Sequence, residues 1–206
     1  DSRSFVDLDT GSLGLVPVRC ETWDGWVFVN EDLGASSLHD FLGPIADQMA
    51  EIDGPAMRAV GTQLHQLGCN WKLMVDSGLE VYHVASLHDD ARRPRAIGNT
   101  QTFETFGLHQ RMAIPLTSIL TLHDLPERDW GDPLQHFQLV HHLFPATDVT
   151  IAGERIAVMR SDPGSHPGET AFRYSSYALQ RPENEQDQHA ARLGFDELEQ
   201  VVSIEH

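Results

Sequence analysis

Alternation between hydrophobic and polar positions dominates the chain and predicts a fold built largely from β-strands. The clearest local signal is Asp24-Gly25, which separates two short aromatic and β-branched runs within residues 21–30 and is typical of a tight hairpin turn. The same pattern predicts further strands at residues 12–18, 58–67, 102–114, 135–144, 149–160 and 170–180. The turn between the last two runs predicts that they form an antiparallel pair.

Helical spacing of apolar residues is confined to three stretches. Residues 38–49 predict a helix broken around Gly43-Pro44, and residues 70–83 predict a helix that contains Gly78. A glycine inside a helix costs about 1 kcal/mol relative to alanine, so Gly78 needs a reason. Close packing against the sheet is one candidate, and a relaxed requirement after divergence is another. Residues 184–205 predict an amphipathic C-terminal helix.

Antiparallel strands with helices segregated to one side predict an α+β domain. The length of 206 residues suits one domain, or one domain with a remnant of another. Fourteen Lys and Arg against 31 Asp and Glu give a net charge of −17, which argues against binding to nucleic acids or anionic membranes. That charge would suit a basic electron-donating partner.

The two cysteines, Cys20 and Cys69, lie far apart without CxxC spacing, so they predict neither a disulfide framework nor a structural zinc site. A disulfide between them stays open. No apolar run approaches the roughly 20 residues of a membrane span, and no signal-peptide pattern opens the sequence. We therefore expect a cytoplasmic protein.

The candidate chemistry lies in residues 70–88, where a carboxylate and two histidines, Glu80, His83 and His88, fall within nine positions. Two imidazoles and a carboxylate form the site that holds non-haem Fe(II) with coordination positions open for oxygen. On a helix Glu80 and His83 would share one face. His83 and His88 would diverge by about 140°, so they could bind one metal only if the helix ends or bulges between them. With 12 histidines in the chain, spacing alone favours structural or solvated side chains.

A longer set of motifs surrounds these residues. Asn70-Trp71-Lys72, an acidic residue at Asp76, and Glu80-x-Tyr82-His83-x4-His88 occur in this order. Residues 20–30 and the run His142-Leu143-Phe144-Pro145 extend the pattern upstream and downstream. Together they resemble the Rieske non-haem iron oxygenases, in the catalytic domain of the ring-hydroxylating α subunits. The resemblance covers most of the chain.

The resemblance implies a helix-grip, START-like fold, in which a curved antiparallel sheet packs on a long C-terminal helix. It also implies that His83 and His88 ligate Fe(II) and that Glu80 is the electron-transfer bridge to a cluster in a neighbouring subunit. Asp76 would hydrogen-bond to one ligand histidine, although a solvated helix carboxylate is an equal alternative. The third ligand would be Glu205 or His206, or a residue beyond them, with Asp196 a weaker candidate.

No Cys-x-His or Cys-x-x-His occurs in this sequence, so this chain is not expected to hold the [2Fe-2S] cluster that the full-length protein would carry. Residues 1–42 would be the remnant closing strands of a preceding Rieske domain, or a linker. Residues 43–206 would be the mononuclear-iron catalytic domain, and this domain would be truncated at its C-terminus if the third ligand lies beyond His206.

The implied function is that of an oxidoreductase that activates O2 to hydroxylate an apolar, aromatic substrate as a mono- or dioxygenase. A ferredoxin or reductase would donate electrons, the family is commonly trimeric, and this chain alone would be inactive. The alternative is a metal-free START-like domain that binds a hydrophobic ligand without catalysis. His141 and His142 are adjacent on a predicted strand and therefore point to opposite faces, so that one of them would line a pocket. The apolar wall of this pocket would come from Phe103, Phe106, Leu108, Met112, Leu116, Ile119 and Leu122. For each of these residues, an ordinary place in the hydrophobic core is the commoner alternative.

Overall fold

The structure, a computed structural model, describes residues 9–83, 96–153 and 155–178, together with Arg192, Phe195 and Asp196. The chain divides into two compact units, Asp1–Phe41 and Leu42–His206. No helix among the described residues is long and apolar enough to cross a membrane.

The first unit contains a two-stranded antiparallel hairpin of β1 (Arg19–Trp23) and β2 (Trp26–Asn30). Asp24 and Gly25 have φ angles of 46° and 80°, the left-handed values that a two-residue hairpin turn needs, so the predicted hairpin is confirmed. The strand predicted at residues 12–18 is wrong. A short 3-10 helix, Thr10–Leu13, begins there instead, because the side chain of Asp9 accepts a hydrogen bond from the amide of Gly11 and caps it.

Helix α1 (Leu38–Leu42) and helix α2 (Ile45–Met49) account for the helical stretch predicted at residues 38–49. The predicted break is confirmed, since Gly43 lies between the two helices with a φ of 52°. In α2 the side chains of Ile45 and Met49 are fully buried in the second unit.

The second unit is dominated by a seven-stranded antiparallel sheet in the order β3-β9-β8-β7-β6-β5-β4. Two predicted strands are hairpins, because the stretch at 102–114 turns at Gly107 and that at 149–160 turns at Gly153, both with positive φ. The antiparallel pairing of the last two runs is confirmed. The strands are β3 (Arg58–Leu67), β4 (Thr102–Phe106), β5 (His109–Pro115), β6 (Phe137–Leu143), β7 (Thr147–Ala152), β8 (Arg155–Pro163) and β9 (Thr170–Ala178).

Within the described part of the unit, few helices accompany this sheet. Helix α3 (Trp71–Gly78) is capped by Asn70, whose side chain accepts a hydrogen bond from the amide of Lys72. The other short helices of the unit are 3-10 helices at Ala50–Ile52, Gly54–Ala56, Thr117–Leu122, Glu127–Asp129 and Pro133–His136.

One face of the sheet, here called the inner face, packs against α3 and the residues that follow it. Met74 of α3 contacts a buried cluster that includes Phe172 and Tyr174 of β9. Val81, just beyond α3, packs in a second cluster with Met112 of β5 and Val140 of β6. These contacts lay the segment that carries the candidate site across the sheet.

The helix predicted at residues 184–205 lies almost entirely outside the described residues. Of that range Arg192, Phe195 and Asp196 are described, and they have helical backbone. The ring of Phe195 stacks on Tyr174 with centroids 5.5 Å apart. A Cβ at Gly61 would come within 2.8 Å of the same ring, so a glycine is needed there to admit Phe195. The long C-terminal helix itself stays a prediction.

Candidate functional site

The predicted helix over residues 70–83 ends earlier, at Gly78, and Glu80 and His83 lie in the turn that follows it. Glu80 and His83 therefore do not share a helical face, and that prediction is wrong. The turn brings them together by other means, because the carboxylate of Glu80 accepts hydrogen bonds from the backbone amides of Tyr82 and His83. Its second oxygen contacts Nδ1 of His83.

This arrangement defines the chemistry of the pair. Burial raises the pKa of Glu80, but the hydrogen bonds from His83 and from the two backbone amides, with the charge of His83, bring it below its ordinary value. An ionised carboxylate on Nδ1 favours the tautomer with the proton on that nitrogen. Nε2 of His83 is then the nitrogen that could ligate a metal, with Glu80 orienting the ring from behind.

The other predicted site residues are placed less completely. His88, Glu205 and His206 lie outside the described residues, so their roles stay predictions. Asp76 is exposed on α3, and its predicted hydrogen bond to a ligand histidine stays a prediction. Asp196 is also exposed.

Within the described part of the chain, no three His, Cys, Asp or Glu side chains are grouped so that they could hold a metal ion. One of the three expected ligands, His83, is nevertheless described. A turn that presents an imidazole, with its second nitrogen held by a carboxylate, fits the ligand chemistry of non-haem iron.

Below the end of α3 lies a buried hydrogen-bonded pair that the sequence did not reveal. Nδ1 of His142 on β6 is 2.7 Å from Oδ1 of Asp148 on β7, and both side chains are 6% exposed. The two residues are direct cross-strand partners. Burial raises the pKa of Asp148, and the hydrogen bond and charge of His142 oppose that rise. The signal in the sequence was indirect: two adjacent histidines on a strand and a glycine in a helix.

The two adjacent histidines do point to opposite faces, as predicted. His142 lies on the inner face, whereas His141 lies on the outer face and is completely buried. Burial, and then the positive charge of Arg111, lower the pKa of His141 to about 4. His141 is therefore held as a neutral side chain near neutral pH.

Comparison with known proteins decides the family. The family described as the ring-hydroxylating alpha subunit (catalytic domain) matches residues 52–204, about three quarters of the chain. The chain belongs to this family. The resemblance drawn from the motifs is therefore confirmed, and the match places the chain in a family of oxidoreductase catalytic domains. The matched range includes the turn with Glu80 and His83 and ends before Glu205.

Individual relatives support this assignment. The 2-aminobenzenesulfonate 2,3-dioxygenase subunit alpha of Alcaligenes sp is 29% identical over 185 residues, which are 85% of this chain and 46% of that protein. The carnitine monooxygenase oxygenase subunit of Escherichia coli K12 is 32% identical over 88 residues, which are 42% of this chain and 24% of that protein. The alignments thus span less than half of these relatives' own length.

Solved structures share the fold. A crystal structure of the quaternary ammonium Rieske monooxygenase CntA superposes with a TM-score of 0.77 at 18% identity, covering 99% of this chain and 54% of that one. A naphthalene 1,2-dioxygenase with indole bound in its active site superposes with a TM-score of 0.60 at 18% identity, covering 91% and 49%. The sheet described above is therefore that of Rieske oxygenase catalytic domains.

Proposed function

We propose that residues 43–206 form the oxygen-activating part of a Rieske-type oxygenase, in which a mononuclear non-haem Fe(II) is held by His83 and His88. When bound, this iron would supply the activation of O2. The observation that carries the proposal is the contact of Glu80 with Nδ1 of His83, within a segment that the family match covers. This contact leaves Nε2 of His83 to ligate the metal.

The roles of this chain's own residues follow from the geometry. His83 would bind the metal through Nε2, and Glu80 would fix the ring and its tautomer while remaining ionised. Glu80 is also partly exposed, at 36% of its side chain, which suits the proposed role as an electron-transfer bridge to a cluster outside this chain. The third ligand is proposed to be Glu205 or His206.

The proposed substrate is a small, apolar, aromatic molecule. Val81 lies two residues before His83 and packs with Met112, Ile114 and Val140 on the inner face. An apolar surface beside a metal favours a substrate that binds by burial of its own apolar area. The relatives are named for carnitine and for 2-aminobenzenesulfonate, so a charged or polar group on the substrate is the main competing outcome.

The remaining partners come with the family. The sequence contains no pair of Cys and His motifs for a [2Fe-2S] cluster, so electrons would arrive through a cluster elsewhere in the full-length protein. A ferredoxin or reductase would reduce that cluster. The assembly is proposed to be a homo-oligomer, trimeric as in the family, with Glu80 facing the neighbouring subunit's cluster.

The test is an anaerobic titration with Fe(II) of the wild-type protein and of His83→Ala, His88→Ala and His123→Ala. We expect stoichiometric binding that is lost in the first two variants and unchanged in the third, because His123 is exposed and outside the proposed site. Equal affinity in all four proteins would contradict the proposal. It would favour the metal-free domain that binds a hydrophobic ligand.

A further inference from the structure

Gly78 closes α3 directly against the buried pair of His142 and Asp148. A Cβ at position 78 would lie 3.0 Å from Oδ2 of Asp148, tighter than side chains ordinarily pack. The other carboxylate oxygen, Oδ1, lies 2.7 Å from Nδ1 of His142. The carboxylate is therefore held between a histidine of the sheet on one side and the last turn of the helix on the other.

This contact explains a glycine that the backbone does not require. Gly78 does not have a positive φ, so an alanine would fit the backbone there and would favour the helix by about 1 kcal/mol. Burying a carboxylate and an imidazole is also costly, because both lose their hydration. A glycine inside a helix and a buried pair of polar side chains, both unfavourable, thus lie in contact two positions before Glu80. Neither feature is needed to form the sheet or the helix.

The segment that leads into the turn with Glu80 and His83 packs on the inner face at two places. Asp148 lies beneath Gly78, and the cluster of Met112 and Val140 lies beneath Val81. Glu80 falls between these two anchor points. Any change in the position of Gly78 over the sheet would therefore move the carboxylate of Glu80 relative to the ring of His83.

We propose that His142 and Asp148 are positioning residues, which set where α3 ends and thereby hold Glu80 against Nδ1 of His83. This inference rests on the proposed function, because the position of Glu80 matters for catalysis only if His83 binds the metal. Within the pair, Asp148 is the residue that approaches the end of α3. Substitution of partners that orient metal ligands typically costs 10- to 100-fold in metal affinity.

The first experiment is an anaerobic Fe(II) titration of the wild type, Asp148→Ala, Asp148→Asn, Gly78→Ala and Val149→Ala. Val149 is the matched control, since it follows Asp148 on β7 and is fully buried, but points to the outer face. We expect affinity to fall about tenfold or more in Asp148→Ala and Gly78→Ala. Asp148→Asn, which keeps an acceptor for His142, should recover part of the loss, and Val149→Ala should bind as the wild type does.

A second readout needs no metal. In the metal-free protein, nitrogen-15 NMR should show Nδ1 of His83 as a protonated, hydrogen-bonded nitrogen. The signal is assigned by its loss in His83→Ala. We expect this signal to weaken or disappear in Gly78→Ala and to persist in Val149→Ala. Gly78→Ala keeps the test available if Asp148→Ala does not fold.

The outcomes separate the two proposals. If His83→Ala abolishes Fe(II) binding while Gly78→Ala and Asp148→Ala bind as Val149→Ala does, the positioning role is wrong and the proposed function stands. An unchanged His83 signal in Gly78→Ala would also overturn the positioning role. If the wild type binds no Fe(II), the proposed function fails, and the NMR comparison alone still decides whether the pair positions Glu80.

Discussion

His141 offers a direct test of how the outer side of the sheet is stabilised. Its side chain is completely buried, and its pKa is lowered from 6.5 to about 4 by burial and by the charge of Arg111. In the unfolded chain the same imidazole titrates near 6.5. Between pH 6.5 and 4 the unfolded chain therefore binds more protons at this position than the folded protein does. The contribution of His141 to stability is complete above pH 6.5 and is lost as the pH falls.

The size of the effect follows from the shift. Each pKa unit corresponds to about 1.4 kcal/mol, so a shift of roughly 2.5 units makes about 3 kcal/mol of unfolding free energy depend on pH. Of this, about 2 kcal/mol should be lost by pH 5. That is a large share of the 5–15 kcal/mol that stabilises a typical domain.

The assay compares urea unfolding of the wild type and His141→Leu at several pH values between 4 and 7.5. All other titrating groups are common to the two proteins, so the difference between their unfolding free energies isolates His141. We expect this difference to move by about 2 kcal/mol in favour of the leucine variant between pH 7.5 and pH 5. The control is His123→Leu, at an exposed position, which should show no such drift. A constant difference for His141→Leu would refute the reasoning.

Two further changes test the packing around the candidate site. Gly61→Ala should destabilise the protein by about 1–3 kcal/mol, because the new Cβ would meet the ring of Phe195 at 2.8 Å. Thermal unfolding measures this loss. As a control, the same substitution should cost less in a Phe195→Leu background. Asn70→Ala should cost about 1 kcal/mol, since it removes the side chain that caps α3 at Lys72, whereas Asn99→Ala should cost much less. Equal losses for the two asparagine variants in urea unfolding would contradict the capping role.

Much of the fold could be predicted because local chemistry decides it. Asp24-Gly25 favours left-handed backbone, so the first hairpin was visible in two residues. The hairpins at Gly107 and Gly153 were missed because strand-like alternation continues on both sides of a very short turn. A single glycine does not distinguish a turn from a bulge or a close contact.

The candidate site was predicted in part, and for a partly wrong reason. Glu80 and His83 do meet, but through a turn whose backbone amides Glu80 binds, and helical periodicity carries no information about such a turn. The pair of His142 and Asp148 was missed because it depends on the register between β6 and β7. A shift of one residue in that register would have placed them on opposite faces.

The strand order has a consequence for how the site is assembled. Strand β3 leads directly into α3 and the turn with Glu80 and His83, yet its partner is β9, the last strand among the described residues, and Thr62 on β3 hydrogen-bonds to Ser175, 113 residues away in sequence. Strands β4 to β9 can form neighbour by neighbour, but β3 must wait until the rest of the sheet has been synthesised. We therefore expect the turn with Glu80 and His83 to leave the ribosome early and to reach its final position late. If this turn binds the proposed iron, the metal would then be loaded only after the closing step of folding.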